Sequence, residues 1–291
     1  MPIYRQTYRS FEGTAPGRFR WLTVAKQELR LLNRNRIFLA LLLLGYIHFF
    51  FRVLQVLAAD MIMTDPHNPL TAHLRHVALL AVNKEMIFDF LRLQAPMTFL
   101  MSIYVGAGMI CEDARNNLLE VYFSKPLRWL DYVIGKIVAV LVVGMLFTAV
   151  QALLLTVLHN FLASDWTTLR TSYWWPLSIV GFSLVLTLPC ALGVLASSAL
   201  SSTRRYAAIA VFIVLFTDLV VGRTLPLLMH ERSYAIIAFP LALNRIGEAL
   251  FLKRRPLFGL SWEWSALYIA VVCVVLLWII CRKVRRAEIA L

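Results

Sequence analysis

The sequence has no phosphate-cradling G-x-x-x-x-G-K-[ST] loop. Gly135-Lys136 is followed by Ile137 and lacks the upstream glycine, so it is no nucleotide site. Neither G-x-S-x-G nor H-E-x-x-H occurs, which counts against a membrane hydrolase or protease. There is no C-x-x-C. The cysteines Cys111, Cys190, Cys273 and Cys281 sit in apolar runs or at their ends, so neither a disulfide framework nor a zinc site is indicated. Charged residues are scarce at 15%, and acidic ones scarcer, 16 against 29 basic. Repeats and low-complexity tracts are absent, and a cleavable signal peptide is not expected, because residues 1–36 are polar ahead of the first apolar run.

What fills the chain instead is apolar. Hydrophobic residues make up 60% of the 291 positions, and the mean hydropathy is +0.72. A soluble domain of this length cannot hide that much apolar surface, so an all-α polytopic membrane protein is expected. Six runs read as membrane spans; the first, about 23 residues, is long enough for a bilayer core about 30 Å thick, and the second is short. They cover 37–59, 93–110, 133–158, 176–200, 206–221 and 262–281.

The net charge of +13 raises the question of nucleic acid, but the basic residues lie at the ends of apolar runs rather than in one patch. That distribution is the positive-inside pattern. Residues 1–36, 111–136, 201–205 and 282–291 hold 18 Lys and Arg against 10 in the longer opposite set, which places both termini in the cytoplasm. Lys253-Arg254-Arg255 is the one run against the rule.

The chain divides into a cytoplasmic lead with an amphipathic interfacial helix (1–36), a transmembrane domain (37–281) and a basic tail (282–291). In the lead, Leu22, Ala25, Leu29 and Leu32 recur at helical spacing while Arg18, Lys26, Arg30 and Arg34 take other faces. Before the last span, Leu225 to Met229 and Tyr234 to Leu243 are apolar but too short to cross, which reads as re-entrant helices. His67, His73 and His76 share the first outer loop with Asp60 and Asp65 and read as polar residues of a solvated loop. Arg52 and Asp218 are the ionisable residues furthest inside spans. They are candidates for an ion pair or for a polar lining of a substrate path, and Arg52 also for snorkelling to the interface.

The most informative stretch is Cys111 to Lys136, CEDARNNLLEVYFSKPLRWLDYVIGK, between the second and third spans. Glu112 and Asp113 stand at a helix start, where carboxylates suit the positive end of the dipole. Leu118, Leu119 and Tyr122 fall at i, i+1, i+4 and give a short helix one apolar face. Pro126 stops that helix and starts the next. An apolar-faced helix fringed by Arg115, Lys125 and Arg128 must bury that face on lipid headgroups or on another protein.

The string Asp113-x-Arg115, Tyr122-Phe123-Ser124-Lys125-Pro126-Leu127, Asp131-Tyr132, Gly135-Lys136 resembles the cytoplasmic loop of type-2 ABC exporter permeases. The resemblance implies six spans, an N-terminal interfacial helix, a coupling helix after the second span and re-entrant helices before the sixth. It implies a non-enzymatic transport subunit of the bacterial inner membrane, paired with a second permease chain, identical or related, and with two copies of a separate ATPase. ATP and magnesium would belong to that partner, and this chain would carry no cofactor. Membrane lipids are implied as partners, and nucleic acid is not. On this resemblance Glu112, Asp113, Arg115, Leu118, Leu119, Tyr122, Lys125, Pro126 and Arg128 are the ATPase-docking residues. Asn116-Asn117 departs from the Gly-Thr pair common in such loops, and Arg245 replaces the proline of the Asn-Pro often found before the last helix. A non-transporting scaffold that docks an ATPase is the alternative, and a membrane enzyme is disfavoured because no paired catalytic groups stand at a membrane face.

Overall fold

The structure, a computed structural model, describes residues 19–64, 82–123, 127–162, 170, 172–230, 237–252 and 261–289. Among these, every regular element is a helix. In chain order they are α1 (Arg20–Asn33), α2 (Arg36–Thr64), α3 (Lys84–Gly106), α4 (Cys111–Arg115), α5 (Leu118–Phe123) and α6 (Trp129–Phe147). Then follow α7 (Ala149–Leu162), α8 (Trp175–Leu200), α9 (Arg204–Leu228), α10 (Phe239–Leu250) and α11 (Trp262–Ile289). Six stretches of helix are long and apolar enough to cross a membrane, so the chain is an all-α, multi-pass membrane protein.

The spans differ from the apolar runs at their ends. The second begins at Lys84 rather than near Leu93, because α3 carries Glu85, Asp89 and Arg92 on its open side while Met86, Ile87, Phe90 and Leu91 are buried. Asn83 caps it, accepting a hydrogen bond from the Met86 amide at 3.0 Å. The fifth runs on through Arg223 and Pro226 to Leu228, so Leu225 to Met229 is the tail of α9 and not a separate re-entrant piece. One short helix, α10, does precede the last span; its 12 residues reach only about 18 Å, too short to cross. The third span is two pieces, α6 and α7, which meet at Thr148. The histidines of the first outer loop lie outside the described residues.

Three spans form the centre and three the periphery. About two thirds of the most apolar windows of α3 and α8 are buried, 61% and 67%, against 11% for both α2 and α9. The main core joins α3, α6 and α8 through Met101, Val105, Val140, Val143, Leu192 and Leu195. A polar seam also crosses it. Gln94 of α3 donates to the Gly45 carbonyl of α2 at 3.0 Å and to Gln151 Oε1 of α7 at 3.2 Å. Its own Oε1 meets His48 Nδ1 of α2 at 3.1 Å.

The expected apolar face of α1 is kept except at Leu22. Leu22 is exposed, and the helix lays Val24 and Ala25 against α6, with Leu29 and Leu32 at the edge of the core. Gly135 makes this possible: a Cβ there would stand 2.6 Å from Val24 Cβ and 2.8 Å from the Trp21 carbonyl.

Gln94→Leu keeps the volume of the seam but removes the donor to Gln151 Oε1, the second donor to the Gly45 carbonyl and the partner of His48 Nδ1. Thermal unfolding of the purified chain in detergent is expected to show a loss of about 1–2 kcal/mol, since hydrogen bonds between membrane helices each contribute in the range of ~0.6 to 2. An unchanged midpoint would mean that the seam adds nothing to stability.

Candidate functional site

The residues between α3 and α6 form a helical elbow at the end of the bundle where α1 also lies. Two short helices replace the single one expected. α4 ends at Asn116, and Asn117 takes φ 54°, a left-handed conformation that asparagine tolerates better than other residues with a Cβ. The chain turns there and starts α5. Lys125 and Pro126 lie outside the described residues.

Asp113 does not cap its own helix. It is buried, and its Oδ2 lies 2.6 Å from Lys136 Nζ and accepts the Tyr132 hydroxyl at 2.7 Å. Lys136 is buried one turn into α6 from Tyr132 and donates on two further sides, to Glu28 Oε1 of α1 at 2.7 Å and to the Met109 carbonyl at 3.0 Å. All three ammonium protons are thereby used. The rings of Tyr132 and Tyr122 flank the charge, their centroids 5.2 and 6.0 Å from Nζ. One lysine thus joins α1, the end of the second span, α4 and α6.

The amides that open α4 are satisfied from another span. Ser198 Oγ of α8, fully buried, accepts from Ile110 N at 3.1 Å and from Cys111 N at 3.2 Å. Its neighbour Ser197 donates to the Ala207 carbonyl of α9 at 2.8 Å. Arg204, at the start of α9, donates to the Tyr104 carbonyl of α3 at 2.7 Å and lies over the Tyr104 ring. The elbow is therefore fastened to α1, α6 and α8, and α8 in turn to α9.

Of the apolar face read from the sequence, Leu119 points inward with 8% exposure, and Tyr122 packs half-buried on the core and against Tyr132. Leu118 and Leu119 stand about 100° apart on a helix, so both cannot face one way. The outward side carries Leu118 at 40% exposure and Val121 at 54%, with Glu112, Arg115, Asn116, Asn117 and Glu120 beside them. Arg128 is exposed at the start of α6, where its amide donates to Asp131 at 3.4 Å. Leu119, Tyr122 and Asp113 thus make fastenings within the chain.

The pairing of Arg52 with Asp218 is also corrected. Arg52 donates to Gln55 Oε1, one turn along α2, at 2.6 Å. Asp218 Oδ2 accepts the Phe239 amide at 2.7 Å and so caps α10, and Tyr268 of α11 adds a side-chain hydrogen bond.

A bundle of six spans with a braced elbow between the second and third defines the class of a polytopic membrane protein. The model of the family described as ABC-2 family transporter protein matches residues 22–244, and the chain belongs to that family. It is the permease subunit of an ABC transporter. No curated protein matches the sequence.

Lys136→Met leaves Asp113 and Glu28 facing a neutral side chain, and breaking a buried ion pair in this way costs about 3–5 kcal/mol. Yield and thermal midpoint of the purified chain are expected to fall sharply, and Lys136→Met with Asp113→Asn and Glu28→Gln to recover most of the loss. A single variant as stable as the parent would show that the ion cluster does not brace the elbow.

Proposed function

We propose that the outward side of α4 and α5 docks on a separate ABC ATPase, and that ATP binding and hydrolysis there drive a substrate outward across the membrane. The observation that carries this reading is the contrast between the two sides of the elbow. Its outward side exposes Leu118 and Val121 within a polar rim, the composition of an interface centre. Its inner side is held by Lys136 and Ser198. A loose loop would absorb a push; a braced one passes it on.

Displacing α4 must either break the Asp113 to Lys136 pair or carry α6 and α1 with it. Breaking the pair is the costlier course, so the three move together. Ser198 hands the same displacement to α8, and Ser197 and Arg204 hand it to α9. In this reading the elbow lies in the cytoplasm with both termini, the membrane is the bacterial inner membrane, and the assembly holds two permease chains and two ATPases. ATP and magnesium act in the partner.

Leu118→Ala with Val121→Ala is expected to lower ATPase association about 10-fold to 100-fold, as loss of central apolar anchors costs roughly 1.4 to 2.8 kcal/mol. Pull-down with a candidate stand-alone ABC ATPase measures it, and full retention of partner and transport would sink the docking face. Leu119→Ala acts differently: it should lower stability while sparing association in the chains that fold. Ser198→Ala should keep the ATPase bound but reduce transport in vesicles, because the elbow loses its link to α8. If transport persists at the parental rate, that link does not carry the stroke.

Orientation has its own check. Reporter fusions after Asn117 are expected to read as cytoplasmic and after His230 as external; the reverse result overturns the assignment.

A further inference from the structure

α9 touches the rest of the bundle mainly at its two ends. Near its start, Ala207 and Val211 are buried with Ile103 and Val194. Near its finish, Gly222 lies so close to Ala238 that a Cβ would overlap it, and Asp218 is bound to the Phe239 amide. No residue of α9 between Val211 and Gly222 is buried. Under this arch lies a half-open void of about 330 Å³. Its walls include Ala210, Val214 and Leu215 of α9, Cys190 and Gly193 of α8, and Leu276 of α11. An adjoining void of about 290 Å³ shares Phe99, Cys190, Leu215 and Phe239 with it and has one basic residue, Arg92, in its own walls.

The first void has one charged group in its walls, Asp218. That residue stands 14 positions after the start of α9, about 21 Å along the helix and so within the apolar layer. Among the described residues no basic side chain pairs with it; its contacts are the Phe239 amide and Tyr268. Two donors leave part of the carboxylate's acceptor capacity open, since two oxygens offer about four sites. A carboxylate inside a membrane is costly unless paired, and such residues mark ligand pathways. The void supplies room for the missing partner, and its walls require that partner to be largely apolar.

We propose that the void beneath α9 binds an amphiphilic organic cation, an apolar body bearing one positive charge, with the charge on Asp218 and the body between α8, α9 and α11. This rests on the transport reading only in naming the class of substrate carried. The link from the elbow through Ser197 to α9 would then act on the helix that covers the ligand.

The test uses the full chain, purified and reconstituted in phosphatidylcholine nanodiscs without ATPase or nucleotide. Its outcome is thus independent of whether the elbow docks a partner. Equilibrium dialysis measures protonated 4-phenylbutylamine and its neutral analogue 4-phenylbutanol, each corrected for uptake by empty nanodiscs. The parent chain is expected to hold the cation about 10-fold more tightly than the neutral probe, the scale of one charge-assisted contact. Asp218→Asn keeps an acceptor for the Phe239 amide while removing the charge, so it should abolish the preference and leave the neutral probe unchanged. Ala210→Trp fills the void and should weaken both probes. Equal binding of the two probes by the parent chain overturns the proposal, with no variant needed. It is overturned equally if Asp218→Asn keeps the preference, or if Ala210→Trp binds the cation as the parent does. Cation binding that stands while Leu118 and Val121 prove irrelevant to docking would leave the site intact and remove the coupling reading.

Discussion

Lys136 is the point at which four separate pieces of chain become one body. A lysine held in a protein interior is unfavourable on its own, and here Glu28, Asp113 and the Met109 carbonyl together offset its lost hydration. None of the four can leave without exposing the others to that cost. The position of α1 against α6, the path of the chain from α3 into α4, and the tilt of the elbow are consequently set together. Gly135, one residue before the lysine, lets α1 come close enough for Glu28 to reach it.

The same arrangement divides labour between the elbow's two sides. Charges that an isolated helix would show to solvent are turned inward, where they hold position. Leucine and valine are left outside, where they are available to a partner. Ser198 adds a fastening without charge, and it does so from the most buried span, so the elbow is tied to the centre of the bundle rather than to its peripheral helices. For the proposed coupling, rigid attachment would matter more than strong attachment, because a stroke passed through a compliant joint is lost as local bending.

Much of this architecture was legible. Long apolar runs located the six spans, and the loop string together with the order of the spans pointed to the family. The unreadable parts have physical reasons. Lys136 sits at the end of an apolar run, where a lysine that snorkels to the interface looks the same in sequence as one that is buried. Its acidic partners are 23 and 108 residues away, beyond any local pattern. The one hint was Tyr132, a turn before it on the same face. Leu118 and Leu119 are adjacent, so periodicity in a six-residue helix could not decide which faces the core. Glu85, Asp89 and Arg92 made the first turns of α3 read as loop, although they occupy only its open side. Pro226 read as a break, yet it stands in the last turn of α9, which continues to Leu228. Asp218 was singled out as an intramembrane charge, but its amide partner on α10 carries no sequence signature.

The seam of His48, Gln94 and Gln151 has a consequence for biogenesis. The second span is the least apolar of the six by composition, with Gln94 near its middle and charged residues through its opening turns. When it leaves the ribosome, α2 is already in the bilayer and offers the Gly45 carbonyl and His48, but Gln151 has not been made. Only when the third span arrives, some 57 residues later, is the Gln94 amide fully partnered. Full partnering of the Gln94 amide therefore depends on the first three spans together.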